Sequence, residues 1–303
     1  MTSDTAAGPA RTAPGSRTVS RRSRPGAYAR TASRGCWYVV SAMVAVLFLS
    51  PLVSVLIGSF KSPREASQSP PAYGTIHPSL RNYSSLRIEG TSIVQFIANS
   101  AEVAVATVVL TVVLAVLAAY GLSRYPFPGS GAVFVLMLSA IMVPFQVLLT
   151  PLYVVLNHVG LTNSLVGLTV VITTFQLPFA TFVVRNSFAG VPRELYEAAA
   201  VDGAGLWSTL RLVLPLARPG VITAGLFAFF AAWNEFFTAL ILLGDESKFT
   251  LPVILTTLVN GARGSIDWGL LQSGVIVTIL PCLIIFVALQ KHYVRGLTAG
   301  SGR

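Results

Sequence analysis

The residues best suited to chemistry in this chain are three carboxylates that stand close together in an otherwise apolar sequence. Glu194, Glu197 and Asp202 fall in one short segment, although the chain has only 11 acidic residues among 303. Charged groups at this density need water or a protein partner, because an ionised carboxylate is strongly disfavoured in an apolar medium. The segment therefore predicts a water-exposed surface on which a soluble partner can dock.

A second group of polar residues interrupts the apolar stretches themselves. Asn234 and Glu235 follow Trp233 in one such stretch, and Gln176 lies in another. An ionisable side chain at membrane depth is costly, and it usually faces a cavity or a partner. Two interpretations remain open for this group: a path through the membrane, or a packing and hydrogen-bonding contact between subunits.

The other reactive residue types do not form a catalytic pattern. No histidine falls within an apolar stretch, which excludes an intramembrane serine protease, and no His-Glu-x-x-His zinc motif occurs. The Gly-x-x-x-x-Gly-Lys-Ser/Thr loop that binds phosphates is also missing. We therefore predict that the chain is not an enzyme and holds neither cofactor nor metal. If ATP drives it, separate subunits bind the ATP.

The composition is that of a membrane protein. Hydrophobic residues make up 53% of the chain and charged residues 11%, with a mean hydropathy of +0.71. Soluble domains carry roughly a quarter charged residues, so this chain cannot solvate a globular surface. Of its 21 Lys and Arg, seven lie in the first 34 residues, where they set orientation and meet anionic headgroups. We therefore predict contacts with membrane lipid and no binding of nucleic acid.

Six apolar stretches are long enough to cross a bilayer as helices, which takes about 20 residues each. The second stretch is rich in alanine, which favours close contact between helices. The pattern predicts an all-α polytopic membrane protein with spans at residues 37–60, 98–122, 131–153, 164–186, 221–243 and 270–290.

The distribution of Lys and Arg predicts which side of the membrane each connection occupies. With the N-terminus inside, 15 of these residues fall in cytoplasmic segments and six in outer segments. Because positive charge is retained inside, both termini and the charged segment should face the cytoplasm. The tail over residues 1–35 has almost nothing apolar to bury and is predicted to be disordered.

Helix-end chemistry predicts that the charged segment is a short helix of about 11 residues. Pro192 suits its first turn, and Glu194 and Glu197 complement the positive end of the helix dipole. Three consecutive alanines, residues 198–200, are strong helix formers without bulk. Gly203 can adopt the left-handed conformation that ends a helix.

A second short helix is predicted over residues 205–214, with Pro215 ending it before the fifth span. In the first helix, an exposed alanine face would let another backbone approach, and Glu194 and Glu197 could pair with a basic rim. The alternative is a loop helix that rests on lipid headgroups. Residue chemistry alone leaves both interpretations open.

The segment from Glu194 to Pro215 resembles the EAA loop in permease subunits of binding-protein-dependent ABC importers. The match lies in Glu197-Ala198-Ala199, then Gly203, then Leu214-Pro215. In that family the loop is a coupling helix that inserts into a cleft on the ATPase subunit. The resemblance implies these ATPase-coupling residues: Glu194, Glu197, Ala198, Ala199, Asp202, Gly203 and Pro215.

Other segments are similar to one branch of that family, the sugar-importing maltose-permease G type. They are Pro78–Tyr83, Asn99-Ser100, Leu177-Pro178-Phe179, Trp233-Asn234-Glu235-Phe236 and Tyr293–Gly300. The resemblance implies the type I ABC importer permease fold. The implied divisions are a disordered Arg-rich tail (1–35), a first transmembrane helix (36–60), an extracytoplasmic loop (61–97), a permease core (98–291) with its coupling loop (188–220), and a cytoplasmic C-terminal tail (292–303).

The resemblance implies an ATP-driven importer of a mono- or oligosaccharide or an amino sugar, in the cytoplasmic membrane. Its implied partners are a second, different permease subunit, two ATPase subunits and an extracytoplasmic sugar-binding protein. Two alternatives stay open: the same importer class for a polyol or glycerol phosphate, and an ion-coupled secondary carrier. Such carriers often show internal repeats and several charges at the membrane midplane, which this sequence lacks.

The polar residues of the fourth and fifth spans are the candidates for the translocation path. We expect the Trp233 indole to stack on a sugar ring, and Asn234, Glu235 and Gln176 to bond its hydroxyl groups. Glu235 should lie along the fifth helix, in its outer half. A contact between subunits remains the alternative for these residues.

Overall fold

The computed structural model of the chain describes residues 27–66, 74–75, 77–88, 91–125, 127–260 and 266–299. Most of the predicted disordered tail, residues 1–26, lies outside these described residues. Within them the chain is mostly helical. A two-residue antiparallel ribbon, which the sequence did not predict, pairs Arg87 with Ser92 and Ile88 with Thr91.

Helices account for nearly all of the regular structure. Two short 3₁₀ turns supplement them, at Ala140–Met142 and Glu246–Lys248. In chain order the elements are α1 (Ala27–Ser59), α2 (Pro63–Ala66), α3 (Arg81–Ser84), β1 (Arg87–Ile88), β2 (Thr91–Ser92), α4 (Ile93–Arg124), α5 (Ser130–Ser139), α6 (Phe145–His158), α7 (Leu165–Ala189), α8 (Arg193–Val201), α9 (Leu206–Val213), α10 (Arg218–Trp233), α11 (Phe237–Leu242), α12 (Leu251–Asn260) and α13 (Trp268–Ala299).

Four described helices are long and apolar enough to cross a membrane without interruption. They are Trp37–Ser59 within α1, all of α4 and α7, and Trp268–Gln290 within α13. Two bent pairs can each supply one more crossing: α5 and its 3₁₀ turn with α6, bent by 101°, and α9 with α10, bent by 84°. The described chain therefore offers four to six membrane spans.

The third predicted span is wrong as a single helix. The chain turns at Val143, which is extended with φ −79° and ψ 120°. Pro144 follows it, and proline both disfavours helical backbone in the preceding residue and lacks an N–H donor. The helix therefore stops after the 3₁₀ turn and restarts as α6.

The fifth predicted span is also interrupted, because α10 ends at Trp233. The Asn234 side-chain amide donates to the Phe230 carbonyl at 2.9 Å. Glu235 Oε1 accepts from the Thr238 backbone N–H at 2.8 Å. Polar side chains that satisfy nearby backbone groups end one helix and begin the next. Glu235 thus lies beyond α10, and the prediction that it lies along a continuous helix is wrong.

The chain divides into two compact units at the boundary between Leu52 and Val53. The first unit contains most of α1, which begins at Ala27 and so extends further toward the N-terminus than predicted. The large apolar side chains of this part, including Trp37 and Phe48, are exposed.

In the second unit, the end of α1 is tied to the segment that leads to α4. The Asn82 side-chain amide donates to the carbonyls of Ser59 and Lys61, at 2.8 Å each. The Tyr83 hydroxyl lies 2.7 Å from Ser59 Oγ. At α3, the described part of this connection, which the sequence predicted as an outer loop, is therefore held to the end of α1 by side-chain hydrogen bonds.

The core of the second unit forms where α4, α7 and α10 pack side by side. Ala104, Ala115 and Ala119 of α4 are fully buried, which confirms the predicted close contact of the second span. Two apolar clusters fill the interfaces. The α12-end cluster includes Phe96, Val103, Leu168, Trp233 and Ile254, and the α8-end cluster includes Ala119, Tyr120, Val184, Phe188, Tyr196 and Val213.

Gly220 lies at a close approach between α10 and α7. A Cβ atom there would overlap the Ser187 hydroxyl and lie 3.2 Å from the Val183 carbonyl oxygen, whereas at Gly121 it would meet nothing within 4 Å. We expect Gly220→Ala to lower the free energy of unfolding by about 1–3 kcal/mol through overpacking. Gly121→Ala, the matched control, should not destabilise the protein. Thermal melting in detergent compares the two variants. Equal melting temperatures would contradict the close approach of α10 to α7 at Gly220.

Candidate functional site

The residues that end α8 form a hydrogen-bond pattern that fixes its length. Gly203 has a φ of +70°, which confirms the predicted left-handed conformation. Its N–H donates to the Ala200 carbonyl at 3.1 Å, and the Ala204 N–H donates to the Ala199 carbonyl at 2.9 Å. These two bonds define a Schellman motif, which satisfies the last carbonyls of a helix. The motif stops α8 and turns the chain toward α9.

The acidic side of α8 faces outward. Pro192 occupies the N-cap position, and Glu194 lies in the first turn, where a carboxylate complements the helix dipole. Glu194, Glu197 and Asp202 are all exposed. Val201, 88% exposed, adds an apolar side chain to this surface. The arrangement suits a partner with a basic rim, because opposite charges steer and orient docking.

The prediction that three consecutive alanines form an exposed face is wrong for one of them. Ala198 and Ala200 are exposed, but Ala199 is only 4% exposed. Residues three apart share a helix face, so Ala199 lies on the inner side together with Tyr196. Its small side chain lets α8 approach the bundle, while Ala198 lies on the acidic side near Glu194.

Tyr196 connects α8 to the end of α4. Its ring packs in the α8-end cluster, and the Arg124 guanidinium carbon lies 5.0 Å from the ring centroid, in a cation–π contact. Burial raises the pKa of Tyr196, and the charge of Arg124 opposes that shift. In the same cluster Tyr120 meets Phe188 of α7 edge to face, with centroids 5.6 Å apart. α8 therefore contacts a packed unit that includes α4 and α7.

The second short helix, α9, forms close to its predicted position. It begins after Gly205 and buries Leu210 and Val213 in the α8-end cluster. The chain then turns through Leu214 and the exposed Pro215, and α10 leaves at 84° to α9. The turn directs the chain from α9 into the bundle.

Trp233 is a core residue at the end of α10. It is 3% exposed, and its ring stacks on Phe229 with centroids 5.6 Å apart and an interplanar angle of 17°. Its indole N–H donates to the Thr278 carbonyl of α13 at 2.9 Å. The predicted stacking on a sugar ring does not fit this conformation, because the protein already engages the indole.

The other three path candidates have more access to their surroundings. Asn234 is exposed at the break after α10, Glu235 is half-buried there, and Gln176 is half-buried on α7. Trp233 belongs to the α12-end cluster, and Tyr196 behind the acidic surface belongs to the α8-end cluster. The structure therefore separates the two predicted sites into two regions of the bundle.

Asn99 and Ser100 join α4 to the start of α12. The sequence pointed to these two residues only through the family resemblance and did not predict this contact. The Asn99 amide donates to the carbonyls of Ser247 and Phe249, at 2.8 and 3.0 Å. The Ser100 hydroxyl accepts from the Leu251 N–H at 2.8 Å. These bonds hold the start of α12 against α4. The sequence feature that could have indicated this contact is an amide next to a hydroxyl at the start of an apolar span.

Comparison with known proteins identifies the family. Residues 111–299 match the family described as binding-protein-dependent transport system inner membrane component. The chain belongs to this family. The diacetylchitobiose uptake system permease protein NgcG of Streptomyces coelicolor is 31% identical, over 86% of this chain and 85% of its own length. The alpha-glucoside transport system permease protein AglG of Rhizobium meliloti is 37% identical, over 67% of this chain and 55% of its own length.

A solved structure supports the fold of this binding-protein-dependent permease. It is the crystal structure of a bacterial ABC transporter involved in the import of the acidic polysaccharide alginate. The match has a TM-score of 0.76 at 21% identity and covers 89% of this chain and 99% of the other. The chain therefore has the type I ABC importer permease fold.

Family membership establishes the class of function. The chain is a permease of an ABC importer, a multi-pass protein of the cytoplasmic membrane and not an enzyme. A permease of this kind works with a substrate-binding protein and with ATPase partners.

Two variants of Glu235 distinguish a structural role from one that depends on its charge. The structural role is the hydrogen bond that Glu235 accepts from the Thr238 N–H at the start of α11. Glu235→Gln keeps an oxygen that can accept from the Thr238 N–H, whereas Glu235→Leu removes it. We expect the glutamine variant to keep wild-type stability and the leucine variant to lose about 0.5–2 kcal/mol, the usual cost of removing a side chain that accepts from a free N–H in the first turn of a helix. Thermal melting measures both. Equal losses would contradict the capping role and would show that the charge itself is needed.

Proposed function

We propose that this permease docks an ATPase subunit on α8 and moves a sugar across the membrane. The observation that carries the proposal is the acidic side of α8, where Glu194, Glu197 and Asp202 are exposed beside Ala198. The motif at Gly203 locks the helix that presents them. A preformed surface loses little conformational entropy on binding, which favours docking of a soluble partner.

The contacts behind α8 supply a route from the ATPase to the membrane helices. Tyr196 and Ala199 pack inward, and Arg124 at the end of α4 lies over the Tyr196 ring. Pro215 lies at the turn from α9 into α10. When ATP closes the ATPase dimer, α8 moves with it, and close packing carries the displacement into α4, α7 and α10. The spans then expose the path alternately to each side.

The membrane arrangement that fits this mechanism has six spans with both termini in the cytoplasm. The excess of Lys and Arg in the connections on that side supports it. The coupling loop, residues 188–220, is then cytoplasmic, and the segment 61–97 is extracytoplasmic. In this arrangement the core runs over residues 98–291 between the first span, residues 36–60, and the C-terminal tail, residues 292–303.

The translocation path in this proposal runs between this chain and a second, different permease subunit. Asn234 is exposed rather than enclosed. A cavity of about 640 Å³ lies between the α5–α6 bend and α7, but its lining is almost wholly apolar, with Gln146 and Thr174 as its polar members. Asn234, Glu235 and Gln176 face the second subunit and bond the sugar hydroxyls, while Trp233 supports them from the core.

A sugar is the cargo that the named relatives favour. Diacetylchitobiose and alpha-glucosides, which appear in the names of two relatives, are both carbohydrates. Uncharged hydroxyl-rich cargo also suits an amide, which donates and accepts hydrogen bonds, beside a carboxylate, which accepts them. The complete importer has two permease subunits, two ATPase subunits that bind the ATP, and an extracytoplasmic sugar-binding protein.

Reconstitution tests this function directly. The permease pair, its ATPase and its binding protein are placed in vesicles, and uptake of radiolabelled diacetylchitobiose, an alpha-glucoside, a polyol and glycerol phosphate is measured. We expect uptake of a sugar that requires ATP and the ATPase and that resists an uncoupler. Uptake that persists without the ATPase and collapses with an uncoupler would identify an ion-coupled carrier and reject the proposal.

Two neighbouring glycines provide a matched test of the coupling helix. Gly203 has a φ of +70° and Gly205 a φ of −70°, and a Cβ at either meets nothing within 4 Å. Valine strains only the first, by about 1–3 kcal/mol, because a β-branched residue disfavours positive φ. We expect Gly203→Val to lower sugar uptake per ATP hydrolysed by about tenfold, in line with that strain. Gly205→Val should keep the wild-type ratio.

The outcome distinguishes coupling from simple loss of protein. Both variants are compared at equal amounts of assembled complex in the membrane. If Gly203→Val also retains wild-type uptake per ATP, the fixed end of α8 is not part of the coupling, and the proposal for this helix fails.

A further inference from the structure

α9 carries an apolar surface that the bundle does not cover. Leu210 and Val213 are buried on its inner side, but Trp207 is 60% exposed and Leu212 51% exposed. Leu216, just after the helix, is 52% exposed. Around the helix, Trp207 and Leu212 lie on either side of the exposed Arg211, so the outer side of α9 combines apolar and basic side chains.

The orientation of α9 suits the surface of a membrane. α10 is apolar and leads into the bundle of membrane helices, and α9 meets it at 84°. In the six-span arrangement proposed above, on which this inference rests, α10 belongs to the fifth span, so a helix that meets it at 84° lies close to the plane of the bilayer. Helices in that position bury tryptophan and leucine at the boundary between headgroups and acyl chains.

The end of α9 also lies beside an apolar span. Leu214 and Pro215 line a groove together with Val113, Val116 and Leu117 of α4. α4 continues to Arg124, so these residues are well inside the apolar helix and not at its tip. Val113 and Leu117 are 50% and 41% exposed, so α4 carries uncovered apolar side chains where it meets the turn after α9. Arg218 lines the same groove and adds a positive charge to it.

The net charge near α9 is opposite in sign to that around α8, where Glu194, Glu197 and Asp202 outnumber Arg193. Between Ala204 and Val221 the sequence contains Arg211 and Arg218 and no acidic residue. Both arginines are exposed. The acidic side chains of α8 suit a basic protein surface, whereas exposed arginines beside tryptophan and leucine suit the headgroups of anionic phospholipid. Adjacent helices thus present surfaces for two different partners.

We propose that α9 is an interfacial anchor that binds anionic phospholipid, with Trp207, Leu212 and Leu216 in the acyl boundary and Arg211 at the headgroups. The anchor keeps the α8–α9 segment at the membrane surface, with α8 on the side that faces the water. This lipid site is independent of the docking surface on α8 and of the cargo.

Quenching of tryptophan fluorescence by brominated lipid tests the depth of α9. The assembled importer is placed in vesicles of phosphatidylcholine and phosphatidylglycerol in equal parts, with bromine on the acyl chains. Subtracting the emission of Trp207→Phe from that of wild type leaves the emission of Trp207 alone, because all other tryptophans, including those of partner chains, contribute equally to both. We expect this difference emission to be quenched by brominated lipid and to resist aqueous acrylamide.

The matched control moves the reporter to α8. Val201→Trp in the Trp207→Phe background places an indole on the side of α8 that faces away from the bundle, and we expect brominated lipid to leave its emission unchanged. Acrylamide quenching of the Trp207 emission would show that α9 lies in water. Resistance to both quenchers would show that a protein covers it. Either result overturns the proposal.

The headgroup preference is tested by moving the bromine between lipids. In wild type, brominated phosphatidylglycerol should quench Trp207 more strongly than brominated phosphatidylcholine. Trp207 and Arg211 are four residues apart and share a face of α9, so Trp207 reports on the lipid at Arg211. One arginine near an anionic surface contributes about 1 kcal/mol, so Arg211→Gln should lower the preference by about fivefold. Arg193→Gln on α8 is the control and should not change it.

The two arginine variants also decide whether the interaction is specific. If Arg211→Gln keeps the wild-type preference for phosphatidylglycerol, Arg211 does not bind anionic lipid and this part of the proposal is rejected. If both variants lower the preference equally, the effect comes from net charge and not from α9, which also rejects it.

Discussion

The constraint on which this structure depends is that a backbone in lipid must satisfy its own hydrogen bonds. An unbroken helix does so automatically, but each break frees several N–H and carbonyl groups. The break after α10 is tolerated because Asn234 donates to the Phe230 carbonyl and Glu235 accepts from the Thr238 N–H. The polar residues at this depth thus support the fold as well as any path.

Close packing of small residues is the second condition for the bundle. Fully buried alanines on α4 and the bare Gly220 on α10 allow helix axes to approach where bulky side chains would separate them. Membrane helices gain little from burying apolar groups, because lipid is itself apolar, so contact between backbones supplies much of the association. A stiff core of this kind can transmit a movement that a looser one would absorb.

The sequence predicted local features better than continuous ones. Gly203 and the start of α8 follow from helix-end chemistry, which involves only a few neighbouring residues. The two interrupted spans were not predicted, since apolar content is the same in a straight and in a bent segment, although Pro144 and Asn234 marked both breaks. The burial of Ala199 and Trp233 depends on which side of a helix meets its neighbours. That information is tertiary, and the family resemblance could name these residues but not orient them.

α4 has one further property that follows from its contacts at both ends. Near its start, Asn99 and Ser100 hold the segment around Ser247 and Leu251, and at its end Arg124 lies over Tyr196 of α8. A helix of 32 residues is about 48 Å long and resists compression along its axis. Because the helix is stiff, a tilt or shift of α4 would move both attached segments together. A protein bound at one end of the bundle would then affect the binding of a protein at the other end through displacement of α4.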